Sequence, residues 1–269
     1  MNSGYMQMDE SHITVMIKPT AGKSTTGQMW LRHAPEKRIV VFDYDRHRSA
    51  GVARRLLGDY QGILQTDGYA VYDYYDTAQG VLHACCHSHA RRKFEQSLRG
   101  DRKRAEYALG QYRRLFEIEQ QAQTQQMTAE KRLLLRQQKS APIVAELKGW
   151  MDEEFRKVKP KSPIGRAICY ALNHWEQLTR ILQNGRIELS NNFIENCVRP
   201  LALGRKNWLF AGSEDAARRM ATIYTVLSTC RLHDLNTRDY LTDLLRKLPG
   251  RLSNNIEDLL PWNWKPAAA

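Results

Sequence analysis

Three carboxylates, Asp9, Asp67 and Glu195, stand out as residues able to do chemistry. Cleaving or joining a phosphodiester needs an attacking oxygen made nucleophilic and a leaving oxygen stabilised, and two divalent cations roughly 3.5–4 Å apart do both. Mg²⁺ takes hard oxygen ligands and draws only one or two carboxylates per ion from a protein, so three acidic residues from separate elements suffice. Each residue also has an ordinary structural reading. Asp9 falls in the middle of a predicted strand, where Asp is depleted, and an exposed sheet position accounts for it as well as ligation does. Asp67-Gly68 is a common turn dipeptide. Glu195, one helical turn before Arg199, reads either as a helix-surface glutamate or as a carboxylate holding a cation beside a polyanion. Spacing alone does not join the three.

Charge narrows the choice of partner. Lys and Arg outnumber Asp and Glu by 41 to 29 in 269 residues, a formal charge of +12, which favours an anionic polymer. The basic residues are spread along the chain, and no run approaches the roughly 20 apolar residues that a membrane span requires. Asp9 and Glu10 fall where the apolar region of a signal peptide would lie. Cys85, Cys86, Cys169, Cys197 and Cys230 are odd in number and scattered, which does not suggest a disulfide framework and fits a reducing cytoplasm.

The elements that must carry these residues can be read from periodicity and turn formers. Tyr5 to Ile17 reads as a strand, Pro19 to Gly27 as turn formers, and Gln28 to His33 as the second arm of a hairpin. Arg38 to Asp43 has strand length, Ser49 can cap a helix over Ala50 to Leu57 ending at Gly58, and Gly62 to Thr66 and Val81 to Cys86 read as further strands. Ser88 can cap the next helix. Three strands, a helix, a strand, a helix and a strand is the order expected of a ribonuclease-H-like sheet. From about Ala90 to Gln183 the chain reads as helical, with Leu109, Tyr112, Leu115, Phe116 and Ile118 on a packed face and Lys159 to Pro163 as a linker. Ile164 to Leu182 reads as one amphipathic helix. Ser190 or Asn191 can cap a helix that carries Glu195 near its start, and Ser213 one that reaches Arg231. Thr237 to Leu248 and Asn255 to Leu260 complete a helical tail.

Taken together, these segments resemble the insertion-sequence-66 family of bacterial DDE transposases. Met8-Asp9-Glu10-Ser11 resembles the family's first-Asp motif, Gln65-Thr66-Asp67-Gly68-Tyr69 its second, and Ser190-Asn191-Asn192-Phe193-Ile194-Glu195 its Asn-Asn-x-x-Glu motif. Arg199 to Ser213 carries the Arg-Pro, Gly-Arg-Lys-Asn-Trp and Phe-Ala-Gly-Ser elements in the family's order, and Leu259-Leu260-Pro261-Trp262 resembles its C-terminal ending. The resemblance implies a ribonuclease-H-like mixed sheet flanked by helices, with a large helical insertion between the fifth strand and the Glu-bearing helix and a helical C-terminal tail. The expected division is 1–90 for the sheet and first two Asp, 91–186 for the insertion, 187–212 for the Glu-bearing helix and basic loop, and 213–269 for the tail. Asp9, Asp67 and Glu195 are then the expected catalytic triad and ligands of Mg²⁺, with Mn²⁺ as a substitute.

Residues near these motifs suggest further roles. Cys86-His87-Ser88-His89 has a Cys-x-x-His spacing, but a zinc site would need a second ligand pair. His89 reads either as a catalytic group near the scissile phosphate or as a histidine with a local hydrogen bond. Arg91, Arg92, Lys93, Arg199, Arg205 and Lys206 can neutralise DNA phosphates, or form a solvated charged face. Trp208 can stack on a base or pack in the core. The leading expectation is metal-dependent DNA cleavage and strand transfer by a DNA-associated cytoplasmic protein that works as a homodimer on transposon ends and target. The alternatives are a non-catalytic DNA-binding remnant or regulator, and a structure-selective nuclease. Family members carry a long end-recognition region ahead of the first Asp. Here Asp9 is the ninth residue, so a catalytic core with a C-terminal segment is expected.

Overall fold

A computed structural model describes residues 4–16, 23–252 and 255–265. Part of the expected turn over Pro19 to Gly27 lies outside these residues, as do Ile17 and Met1 to Ser3. The strands are β1 (Tyr5–Met16), β2 (Ser24–Ala34), β3 (Ile39–Asp45), β4 (Gly62–Thr66) and β5 (Val81–Cys85). The helices are α1 (Ala50–Leu57), α2 (His87–Ser97), α3 (Arg102–Thr124), α4 (Ala129–Leu135), α5 (Ala141–Phe155), α6 (Pro163–Asn173), α7 (Trp175–Thr179), α8 (Asn192–Trp208), α9 (Glu214–Leu232) and α10 (Thr237–Lys247). The result is an α/β chain with a mixed five-stranded sheet in the order β3-β2-β1-β4-β5, flanked by helices. Two compact units are present, one from Met6–Val52 with Ile194–Ala269, the other from Asn2–Tyr5 with Ala53–Phe193.

In the first unit, β1, β2 and β3 form an antiparallel meander in which Asp9 faces Leu31 and Leu31 faces Phe42. Alternation places Ile13 and Val15, Met29 and Leu31, and Val40 and Phe42 in one core with Ile194, Cys197 and Leu201 of α8 and Ala217 and Ala221 of α9. The two alanines let α9 approach closely. Its Thr225 hydroxyl accepts from Phe42 N at 2.8 Å, and its Thr229 hydroxyl donates to Val40 O at 3.1 Å. These threonines satisfy outward-facing backbone groups of β3, an edge strand that would otherwise be open to pairing with another chain.

In the second unit, β4 and β5 run parallel, and Ile63 N donates to Gly4 O at 3.0 Å. Their apolar residues pack with Phe94 of α2, Tyr112 and Leu115 of α3, Leu147 and Met151 of α5, and Ile168 and Ala171 of α6. Leu109, Phe116 and Ile118 are partly buried against this core.

Several boundaries depart from expectation. Helix α2 starts at His87, with Cys86 rather than Ser88 at the N-cap, because His87 N donates at 3.0 Å to Leu189 O instead of to a local cap. The single helix expected over Ile164 to Leu182 is broken at His174, whose backbone (φ −105°, ψ 20°) ends α6, and the remainder forms α7 and a 3₁₀ turn over Arg180–Leu182. Asn255 to Leu260 contains only a 3₁₀ turn, Glu257–Leu259. No helix among the described residues is long and apolar enough to cross a membrane.

Candidate catalytic carboxylates and basic residues

Asp9 lies half-buried in the middle of β1. Its Oδ1 accepts from Glu10 N at 2.8 Å. The adjacent Glu10 is held by Arg48, whose Nε donates to Oε1 at 2.8 Å, and only 1 % of its side chain is exposed. Glu195 is half-buried in the first turn of α8, where a negative charge suits the positive end of the helix dipole.

The run after Glu195 ties its helix to β1. Arg205 Nη1 donates to Ser11 Oγ at 3.1 Å and to His12 O. Beyond α8, Ala211 N donates to Thr14 O at 2.8 Å and Met16 N to Ala211 O at 2.9 Å, a parallel bridge against β1. Trp208 packs against the core of the first unit and lies over Gly204, where an added Cβ would come within 2.5 Å of the indole nitrogen. The glycine of the Gly-Arg-Lys-Asn-Trp run therefore makes room for its tryptophan. Arg199 and Lys206 are exposed.

In the second unit, Asp67 follows β4 in a turn. Its Oδ1 accepts from Tyr69 N at 2.9 Å, and its backbone carbonyl accepts from the Tyr170 hydroxyl. Gly68 has φ +79°, and a Cβ there would stand 2.9 Å from Tyr170 Oη and 3.2 Å from His174 Nε2. Only glycine suits both the left-handed backbone and the close wall. Burial, followed by the charges of Cys85 and Asp67, raises the Tyr170 phenol well above its usual range, so it remains a donor. His89 is half-buried in the first turn of α2. Arg91 pairs with Glu95 at 3.2 Å, Arg92 is exposed, and the Lys93 ammonium sits 5.5 Å above the Tyr170 ring. Lys93, Gln96 and Arg166 line a cavity of about 370 Å³.

An aspartate carboxylate is a hard oxygen donor of the kind divalent cations take, and Asp67 Oδ2 takes no hydrogen bond among the described residues. Among those residues, no group of three or more His, Cys, Asp and Glu side chains is gathered closely enough to hold a metal ion. The five cysteines are free, and His87 is fully buried with Nε2 2.8 Å from Leu178 O. Sequence reasoning missed Tyr170, 103 residues from the aspartate whose carbonyl it holds, and Arg166. Neither carries a local signal. Asn191 belongs to the Asn-Asn-x-x-Glu run and directly precedes α8. It is completely buried, and neither polar atom of its amide has a hydrogen-bond partner among the described residues.

A family model described as the transposase IS66 family matches residues 1–219, and one for the IS66 C-terminal element matches residues 225–262. The chain belongs to the IS66 transposase family. It is 37% identical over 273 residues to the uncharacterized protein y4hP of Sinorhizobium fredii (strain NBRC 101917 / NGR234), covering 92% of this chain and 49% of that protein. It is 35% identical over 269 residues to y4qI of the same strain, covering 94% and 49% respectively. The chain thus spans about half the length of these curated relatives. No solved structure matches it.

Proposed function

We propose that the chain is the catalytic core of a DDE transposase that cuts a DNA strand and joins the freed end to a target. The observation that carries this reading is the family match over residues 1–219, which contains Asp9, Asp67 and Glu195 within the motifs that resemble the family's catalytic set. Two in-line displacements make up the reaction. In the first, water attacks phosphorus, the bond to the 3′ oxygen breaks, and a 3′-hydroxyl is released. In the second, that hydroxyl attacks a target phosphodiester and gives up its proton as a new phosphodiester forms and the target strand breaks.

Asp9, Asp67 and Glu195 would hold Mg²⁺ or Mn²⁺, which activates the attacking oxygen and stabilises the leaving one. The protein's own part is positioning. Tyr69 N–H fixes one oxygen of Asp67, and Tyr170 fixes its backbone. Arg199, Lys206, Arg92 and Lys93 supply cations for phosphates, and His89 is assigned near the scissile phosphate. In this reading the sheet is ribonuclease-H-like, with the helical stretch between β5 and α8 as its insertion, and the chain acts as a homodimer on transposon ends and target, DNA-associated in the cytoplasm.

The test is Mg²⁺- or Mn²⁺-dependent nicking and strand transfer on DNA, comparing wild type with Asp67→Asn and Glu195→Gln. Metal-dependent cleavage by wild type that both substitutions abolish supports the enzyme. DNA binding by all three proteins without cleavage by any supports a non-catalytic remnant instead.

A further inference from the structure

A second hydrogen-bonded chain ends at the Asp67 turn, and the reaction described above does not use it. His83 Nδ1 lies 2.5 Å from Asp76 Oδ1, His83 Nε2 lies 2.9 Å from Thr66 Oγ1, and Gly68 N donates to Thr66 Oγ1 at 3.3 Å. The sheet register sets this up. Leu64 pairs with His83 and Thr66 with Cys85, so His83 and Thr66 project from the same face of neighbouring strands. The chain runs inward from the surface: the Asp76 side chain is 29% exposed and that of His83 only 3%, while Thr66 is completely buried.

An acid, an imidazole and a hydroxyl in a row also describe a nucleophilic triad. That reading fails because the Thr66 hydroxyl is buried and occupied on two sides.

Proton accounting gives the chain a direction. Burial alone would raise the Asp76 carboxyl, but hydrogen bonds from His83 and Gln177 outweigh it and hold the group below its usual value. An ionised carboxylate only accepts, so His83 Nδ1 donates to it, and in the neutral imidazole Nε2 is left to accept. The Thr66 hydroxyl then donates to Nε2 and turns its lone pairs towards Gly68 N–H. This fixes the peptide that follows Asp67, and the next amide, Tyr69 N–H, grips Asp67 Oδ1 at 2.9 Å. Tyr170 and His174 close the other side of the turn.

We propose that Asp76, His83 and Thr66 form a relay of positioning residues that sets the orientation of the Asp67 carboxylate. The inference rests on the reading of Asp67 as a catalytic carboxylate. Outer-shell partners of this kind typically change metal affinity or activity by about 10–100-fold when removed.

The test uses the full chain and two readouts. Amide hydrogen exchange at Gly68 and Tyr69, followed by NMR, reports the turn without DNA or metal. Mn²⁺-dependent nicking, resolved into turnover and DNA affinity, reports the consequence. Thr66→Val is expected to speed exchange at both amides by about fivefold, the worth of one ordinary hydrogen bond. It should also lower turnover by about tenfold or more while leaving DNA affinity unchanged, and Thr66→Ser should restore both. Asp76→Asn should have the same effect more weakly, and it serves as the reporter if Thr66→Val does not fold. Unchanged exchange in the folded variants overturns the relay whatever nicking does. Faster exchange with wild-type turnover overturns its catalytic purpose. If wild type itself cuts no DNA, the assignment of Asp67 as catalytic fails, and the exchange result alone decides whether the relay holds the turn.

Discussion

Arg205 donates to Ser11 Oγ at 3.1 Å and so fastens the helix that carries Glu195 to the strand that carries Asp9. Burial lowers the pKa of this guanidinium, as expected of a group turned inward. Its neighbour Lys206 is exposed. The two therefore make different predictions. Lys206→Ala should weaken DNA binding about equally on all sequences and reduce the salt slope by about one. Arg205→Lys should leave that slope unchanged while lowering nicking, because the shorter lysine does not place a donor where Nη1 meets Ser11 Oγ and His12 O. Equal salt slopes for wild type and Lys206→Ala, measured by titration from low to moderate salt, would remove Lys206 from the DNA contact.

The second unit is braced by a buried ion pair. Arg136 Nε and Nη2 reach the Glu119 carboxylate at 2.5 and 2.7 Å, and the carbonyls of Ile181, Asn184 and Ile187 take its other hydrogen bonds. Every N–H of the guanidinium is used. Glu119→Gln leaves a buried cation without its counter-charge and should cost about 3–5 kcal/mol in urea unfolding. A loss below about 1 kcal/mol would show that the pair is dispensable.

Two buried histidines predict how stability follows pH. Burial lowers His33 to about 4. Burial also dominates at His87, lowered to about 4 even though its bond to the Leu178 carbonyl pulls the other way. Both values lie below the ordinary 6.5, so between about pH 6.5 and 4 the unfolded chain binds protons that the folded chain does not. Stability is therefore full above about 6.5 and falls as pH drops through this window, by up to roughly 3 kcal/mol for each histidine. Urea midpoints at pH 7.5, 6 and 5 check this, and His87→Gln should flatten about half of the slope. A flat profile from 7.5 to 5 contradicts it.

Gly68 and Tyr170 should be energetically coupled. Gly68→Ala places a Cβ 2.9 Å from Tyr170 Oη on a left-handed backbone and should cost roughly 1–3 kcal/mol. Tyr170→Phe removes the obstructing oxygen, so the double variant should lose less than the sum, by about 0.5–1 kcal/mol or more. Strict additivity in thermal or urea unfolding would show that the wall yields freely.

Local signals carried much of the fold. Gly62–Thr66 was legible residue for residue, and Gly58, in a left-handed conformation at φ +54°, ends α1 as its type predicts. Ser213 caps α9 through Ala216 N, as Ser before two acidic residues suggests. Tertiary partners decided the rest. Helix α2 starts two residues earlier than Ser88 would set it because Leu189 supplies the acceptor. His174 breaks a helix whose apolar period runs on unbroken. At the candidate site, Asp67-Gly68-Tyr69 announces its own turn, but Tyr170, His83 and Asp76 are joined to it only through the fold. Clustering reads Arg205 and Lys206 alike, and only packing separates them.

The first unit is assembled from the two ends of a long detour in the chain, since the outward-facing backbone of β3 bonds to Thr225 and Thr229 of α9. During synthesis, β1 to β3 leave the ribosome long before the helix that covers their apolar face exists. Every segment of the second unit is already available by Phe193. Translation thus imposes an order on maturation: the unit bearing Asp67 can consolidate first, and the strand bearing Asp9 waits, exposed to chaperones or to pairing with another nascent chain, until α8 and α9 arrive.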